Sequence, residues 1–212
     1  MNTRSLASRL HWPSRRRMLA AFAALGTLAL PLRSRAAALA TPAMTEGPFY
    51  PERFAAVPTP SLVRGRIEGT PLLRLEGRVL EAGGAPVPGA RVELWQGDAF
   101  GHYHPSRDSA PGQRDPAFAG FGWVLADAAG GYAFDTIRPV PYPGRTPHIH
   151  LAVVAGGRRR LVTQIFIEGD PGNAGDFLYR RIPAAARERV TMRVQPAGRG
   201  ALAGRFEVVL PG

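Results

Sequence analysis

Hydrophobic residues in this chain recur at two-residue intervals, not at helical spacing. Alternating or β-branched runs span Leu73–Leu80, Ala90–Trp95, Gly122–Ala126, Gly131–Thr136, His148–Val154, Leu161–Glu168, Val190–Val194 and Arg205–Leu210. Such alternation marks a strand with one face toward a core. Breakers separate the runs: Gly83-Gly84 with Pro86 and Pro88, Gly130-Gly131, Gly156-Gly157, and Gly169-Asp170-Pro171-Gly172. No long amphipathic helix is predicted; Ala174–Arg187 has room for one or two short helical turns. About eight short strands at this spacing predict an all-β fold, a β-sandwich. Pro105–Gly120 lacks strand character and is rich in Pro, Gly, Asp and Arg. An irregular loop of that length inside a domain is expected to be functional.

Composition sharpens this picture. The 25 Gly and 21 Pro suit many turns, and 45% hydrophobic residues suffice for a core. With no Cys, a disulfide scaffold, a zinc ribbon, an iron–sulfur site and a cysteine nucleophile are excluded. All 27 basic residues are Arg, and the net charge is +11. Seven of these arginines fall in residues 1–40, which hold no acid, so the remainder is only +4. No basic-aromatic pattern accompanies that charge, and no nucleic-acid partner is expected.

The first forty residues read as an address. Ser14-Arg15-Arg16-Arg17-Met18-Leu19 opens an apolar run to Leu32, and Ala38-Leu39-Ala40 offers a cleavage site. The run is shorter than the roughly 20 residues a membrane span needs. The arginine group resembles a twin-arginine signal. That implies export in the folded state to the periplasm or beyond, with no membrane association once the signal is removed. The expected organisation is a signal peptide over 1–40, an N-terminal arm over 41–72 and a β-sandwich domain over 73–212.

Chemistry concentrates in two stretches. In Pro141–His150, strand alternation puts His148 and His150 on one face, about 6.6 Å apart, where both imidazoles can reach one metal. The second is Val92–Pro105, where a strand ends near Trp95 and a loop presents His102, Tyr103 and His104. Taken alone, the His148/His150 pair also suits a solvent-facing pair beside a core Ile149, the imidazoles of the second stretch suit zinc or copper, and Tyr103 suits a packed aromatic.

Together with Thr45–Pro51, Tyr132–Arg138 and Leu161–Asp170, these stretches resemble the intradiol ring-cleaving catechol dioxygenases. The resemblance is to the branch that includes the iron-bearing chain of protocatechuate 3,4-dioxygenase, and it runs over about 45–180. It implies a transthyretin-like β-sandwich with long active-site loops, holding Fe(III) through Tyr103, Tyr142, His148 and His150. Tyr142 is then the ligand that substrate displaces. Arg145 and Gln164 flank the bound catechol, and Gly47, Pro48 and Tyr50 border its pocket. The implied partners are a small catecholic substrate and O₂. The ring is cut between the two hydroxyl-bearing carbons, giving cis,cis-muconate-type diacids. Two phenolates and one hydroxide offset the three charges of Fe(III), and hard oxygen donors favour that ion. His102 and His104 match no ligand and are expected at the pocket edge or surface.

Larger members of that family carry a long insertion where only Pro143-Gly144 lies here, so an open rim accepting bulky or anionic catechols is expected. A dimerising helical linker has no counterpart in 41–72, and a homo-oligomer is left open. The competing reading is a non-catalytic module. Gly84–Leu94 with Asp127 and Gly131–Phe134 also resembles transthyretin-like sandwiches of cell-surface proteins, which bind no metal. Among other features, Trp95 and Trp123 are expected in the core and Arg158–Arg160 at a solvated hairpin tip. Asp108, Arg114 and Asp115 are expected to order the long loop by ion pairing.

Overall fold

The alternating runs pair into two sheets in a computed structural model that describes residues 39–104, 108 and 111–212. Residues 1–38, which hold most of the expected signal peptide, and residues 105–107 and 109–110 of the long loop, lie outside them. The strands among the described residues are β1 (Leu72–Leu80), β2 (Arg91–Trp95), β3 (Phe121–Leu125), β4 (Gly131–Ile137) and β5 (His148–Ala155). They continue with β6 (Arg158–Ile167), β7 (Thr191–Met192), β8 (Val194–Pro196), β9 (Leu202–Arg205) and β10 (Val208–Val209). One sheet pairs β1 with β4 on one side and with β9 and β10 on the other, with β8 beyond β9. The other sheet runs β3-β2-β5-β6-β7.

Two expected strands come out divided. Val190–Val194 breaks at Arg193, so that β7 pairs with β6 and β8 pairs with β9 across the sandwich. Arg205–Leu210 is interrupted at Phe206, and the two pieces lie end to end along β1. The Phe206 carbonyl sits where a Cβ on Gly77 would stand, and Tyr132 donates to that carbonyl at 2.7 Å. Glycine at 77 is therefore what admits the crossing chain between β9 and β10. The helical segment holds one short α-helix, α1 (Phe177–Arg181), between 3-10 turns at Pro171–Ala174 and Ala184–Val190.

The main core fills the space between the sheets, with Leu73, Leu75, Phe134, Leu94, Ile149 and Leu151 fully buried. The β2-β5-β6 sheet is also buried on its other face. There Trp95, Tyr103 and Ala152 form a second apolar cluster beneath Phe49, Tyr50 and Tyr142. That cover comes from the arm. Met44 N–H donates to Val162 O at 2.8 Å, Thr163 Oγ1 donates to Pro42 O at 2.8 Å, and Trp123 Nε1 donates to Ala55 O at 2.8 Å. An antiparallel sheet with both faces covered loses solvent on the side where its polar residues stand.

Candidate metal centre

Register places the site. Trp95 of β2, His150 of β5 and Gln164 of β6 are adjacent across three strands, and His148 pairs with Phe166 one step along. The His150 ring lies flat on Trp95, centroids 4.9 Å apart and planes 12° apart. Trp95 is thus both core and a stacking platform, which corrects the expectation of core alone. Its indole fixes the imidazole plane from one side.

Tyr103 reaches the same face from the loop after β2 and is buried. Asp98, itself buried, accepts from Phe100 N–H at 2.9 Å, His102 N–H at 3.0 Å and Asp115 N–H at 2.9 Å, and bonds His104 Nε2 at 2.7 Å. Asp108 accepts from Tyr103 N–H at 3.1 Å and bonds His102 Nδ1 at 3.2 Å. His102 and His104 are therefore struts of the loop and not surface residues. Asp98, which sequence reading passed over, is the hub that orders it, alongside the expected Arg114–Asp108 contact at 3.9 Å. Phe49 stacks on the Tyr103 ring at 4.6 Å.

Tyr142 comes from the turn before β5, closed by Arg145 N–H donating to Tyr142 O at 2.9 Å, with Gly144 at φ 81°. The left-handed position explains the glycine. The four rings converge. Centroids are 5.9 Å apart for Tyr103–Tyr142, 5.4 Å for Tyr142–His148, 4.9 Å for His148–His150 and 6.0 Å for Tyr103–His150. Tyr103 Oη is 3.5 Å from His148 Nε2.

The imidazoles are prepared as ligands. His148 Nδ1 lies 2.7 Å from Thr146 O, an acceptor only, so Nδ1 carries the proton and Nε2 turns its lone pair inward. His150 Nδ1 is buried with no protein partner. Burial first, and then the nearby Arg145 charge, push His148 down to about 4, and burial drives His150 well below its ordinary value, so both are neutral. Burial also raises both phenols, with Arg145 opposing it at Tyr142. Phenolate is thus costly here unless a cation stands beside it, and a trivalent ion reverses that balance. Two neutral imidazoles, two phenols and an unpartnered imidazole nitrogen fit a hard, highly charged ion such as Fe(III). No group of three His, Cys, Asp or Glu capable of holding a metal occurs among the described residues; the set here depends on tyrosine.

Arg145 turns its fork inward. Nε donates to Asp176 Oδ2 at 2.7 Å, Nη2 to Gln164 Oε1 at 2.6 Å, and Nη1 approaches Tyr142 Oη at 3.4 Å. Gln164 Nε2 donates onward to Thr45 O at 3.1 Å, tying the arm to this cluster. Asp176 also accepts from Thr146 N–H at 3.0 Å and caps α1 through Leu178 N–H and Tyr179 N–H, both at 2.9 Å. Burial alone would raise this carboxyl, yet the Tyr179 amide and the Arg145 guanidinium hold it below its ordinary value. A cavity of about 800 Å³ opens beside the cluster, between the arm, the Tyr142–Arg145 turn and α1. Tyr142, His150, Arg145 and Gln164 line it, with Gly47 and Pro48.

A profile of the Dioxygenase family (Dioxygenase_C) matches residues 45–212. The chain belongs to that family. It is 40% identical over 147 residues to the protocatechuate 3,4-dioxygenase beta chain of Burkholderia cepacia, covering 64% of this chain and 63% of that protein. It is 38% identical over 149 residues to the hydroxyquinol 1,2-dioxygenase of Nocardioides simplex, covering 62% of this chain and 48% of that protein. Among solved structures, the dioxygenase domain of a dioxygenase–carbohydrate-binding fusion from Streptomyces sp. SirexAA-E superposes with a TM-score of 0.63 at 32% identity. That match covers 81% of this chain and 97% of the domain. The chain thus spans about half to two thirds of the two curated relatives. These matches favour the dioxygenase resemblance over the metal-free module.

Within this site, one expected pocket residue stands elsewhere. Tyr50 is off the cavity wall; its hydroxyl donates to buried Glu93 Oε2 at 2.7 Å, with Arg159 4.5 Å above its ring. Phe49 takes the wall position instead. The reason is the Glu93 carboxylate, buried in mid-sheet and shared with Arg91 Nε at 2.7 Å, which draws the phenol. Of the Arg158–Arg160 tip, Arg159 pairs with Glu46 and Arg160 with Glu81 at 3.1 Å, so two of the three pin chain segments. Trp123 is under the Arg91 guanidinium at 4.1 Å.

Proposed function

We propose that this chain is a non-haem Fe(III) intradiol dioxygenase, opening ortho-dihydroxy aromatic rings between the hydroxyl-bearing carbons with O₂. The observation that carries the reading is the convergence of Tyr103, Tyr142, His148 and His150, with the His148 tautomer already set by Thr146. The chemistry that ferric iron supplies when bound is activation of a chelated catecholate toward O₂. The side chains do the rest. Tyr103 and His148 sit behind the cavity, whereas Tyr142 lines it and is half-buried. Tyr142 is therefore the donor placed to yield to an entering diol and take up its proton. Arg145, 3.4 Å from the Tyr142 hydroxyl, favours the anionic form of whichever oxygen stands there. Gln164, held by Arg145 and Thr45, keeps a polar edge against the incoming ring. Phe49 and Trp95 shield the donors from water.

Oxygen uptake by iron-loaded protein with catechol and protocatechuate tests this, with ¹⁸O₂ labelling of the product. Both oxygen atoms should appear in a muconate-type diacid. A 2-hydroxymuconic semialdehyde would mean cleavage outside the diol and would sink the assignment. We also propose that the chain acts outside the cytoplasm, on the strength of its leader-like first forty residues. Fractionation of cells making the full chain tests that placement. No helix among the described residues is long and apolar enough to cross a membrane.

A further inference from the structure

The cavity beside the ligand cluster is larger than its chemistry requires. A volume of about 800 Å³ lies in the range that encloses a drug-sized ligand, so one catechol ring leaves most of it unfilled. Away from the ligand cluster its lining is largely apolar, with Phe177 and Leu178 of α1, Ile182 just after it, and Pro42 and Met44 of the arm. No acidic residue lines it, and its charged lining residues are Arg145 and Arg181.

These two arginines are not equivalent. The Arg145 side chain is buried, ion-paired with Asp176, bonded to Gln164 and close to Tyr142. Arg181 is exposed on the last turn of α1 and has no ion pair with any described acid. Phe177, half exposed, adjoins both, with the Arg145 guanidinium 5.6 Å and the Arg181 guanidinium 5.7 Å from its ring centroid. Phe177 thus adjoins both a paired cation that touches the donor cluster and an exposed cation on the same cavity wall. Asp176 holds Arg145 and caps α1 with the same carboxylate, so this spacing is built in.

We infer that the site takes catechols bearing an acidic side chain, whose carboxylate reaches past Phe177 to Arg181. This rests on the dioxygenase reading above and names its substrate class. A carboxylate set directly on the catechol ring stays on the Arg145 side, where the guanidinium is already shared with Asp176 and Gln164. A side chain as long as one aromatic ring crosses the Phe177 face and delivers its charge to Arg181. The apolar walls accept the methylenes, and the guanidinium supplies a charge-assisted contact.

The test compares catechol, 3-(3,4-dihydroxyphenyl)propanoate and its neutral amide on the iron-loaded enzyme. Two measurements are made: KM in air, and the dissociation constant by calorimetry without O₂. The acid should bind about tenfold tighter than the amide, a ratio that shrinks as salt is raised. Arg181→Gln should bring the ratio to about one, and Arg181→Lys should keep most of it. Arg158→Gln, the same charge change on the distant hairpin, should leave the ratio as it was. Equal binding of acid and amide by the wild-type enzyme overturns the inference, as does a ratio that survives Arg181→Gln. Absence of turnover with every catechol overturns the dioxygenase reading itself. Turnover of catechol without any preference for the acid overturns only the substrate class.

Discussion

The two faces of β5 are equally dry and do opposite things. Ile149, Leu151 and Val153 point into the space between the sheets, and all three are fully buried. His148, His150 and Ala152 point the other way and are as deeply buried. What differs is the cover. The inner face meets a second sheet of apolar residues, where any well-packed hydrophobic neighbour serves. The outer face meets an arm, a loop and a turn held by particular polar contacts, such as Gln164 to Thr45 and Tyr50 to Glu93. Burial on the inner face yields stability. On the outer face it sets imidazoles neutral and makes phenolates dependent on a cation.

Substitutions one residue apart should separate these roles, and this is the largest effect expected. His150→Ala removes one of four protein donors and should abolish stoichiometric iron, read by metal analysis on folded protein. Ile149→Ala should cost about 2–5 kcal/mol in denaturant unfolding while the folded fraction keeps its iron. His150→Ala protein with full iron would break the comparison. On the same face, Tyr103→Phe should change the visible tyrosinate band of the iron protein strongly, because that donor stays in place when substrate enters.

The inner face was legible in the sequence because alternation reports it directly: six strands fall within a few residues of their predicted ends. The pairing of His148 with His150 was legible through strand spacing, and Tyr103 and Tyr142 as their companions only through the family resemblance. The residues that support them were not. Asp98, Asp176 and Glu93 are single acids in loops or mid-strand, and nothing local in the sequence says that each gathers partners from distant segments. Asp176 meets Arg145 across 31 positions, and Glu93 meets Tyr50 across 43. The division of the last two expected strands was hidden for the same reason. It depends on the Phe206 carbonyl meeting Gly77, which is a tertiary contact.

A smaller effect is expected at Asp176, where the outer face is tied to α1. Removing one partner of a buried ion pair costs about 3–5 kcal/mol, so Asp176→Ala should be strongly destabilising. Asp176→Asn keeps the shape and isolates the charge. The folded-state carboxyl sits below its ordinary value of 3.8, so its contribution is present above that value and disappears as pH falls through the lower folded value. The stability gap between wild type and Asp176→Asn should be full at neutral pH and close in acid. A gap that widens in acid contradicts the assignment. In the iron-loaded enzyme the Asn variant should lower kcat more than it raises KM, because Arg145 loses its anchor and not its contact with the cavity.

The smallest effect should come from the latch that closes the arm over the site. Tyr50 donates to Glu93, and burial followed by that carboxylate drives its phenol well above the ordinary range, so the hydroxyl stays a donor at every working pH. Tyr50→Phe removes one hydrogen bond to a charged acceptor, worth about 1.5–3 kcal/mol in general. Glu93 keeps Arg91 at 2.7 Å, so its carboxylate is not left alone and the loss should fall at the lower end. The arm has other attachments, at Val162, Thr163 and Gln164, so the inner face should not register the change. Two measurements should therefore part company. Amide exchange and proteolysis around Arg53 should quicken severalfold, while the global unfolding midpoint shifts only slightly. If both move together, the arm is part of the cooperative core, and the distinction between the two faces is one of chemistry alone. If neither moves, Arg159 stacked on the ring and paired with Glu46 holds the arm without the hydroxyl.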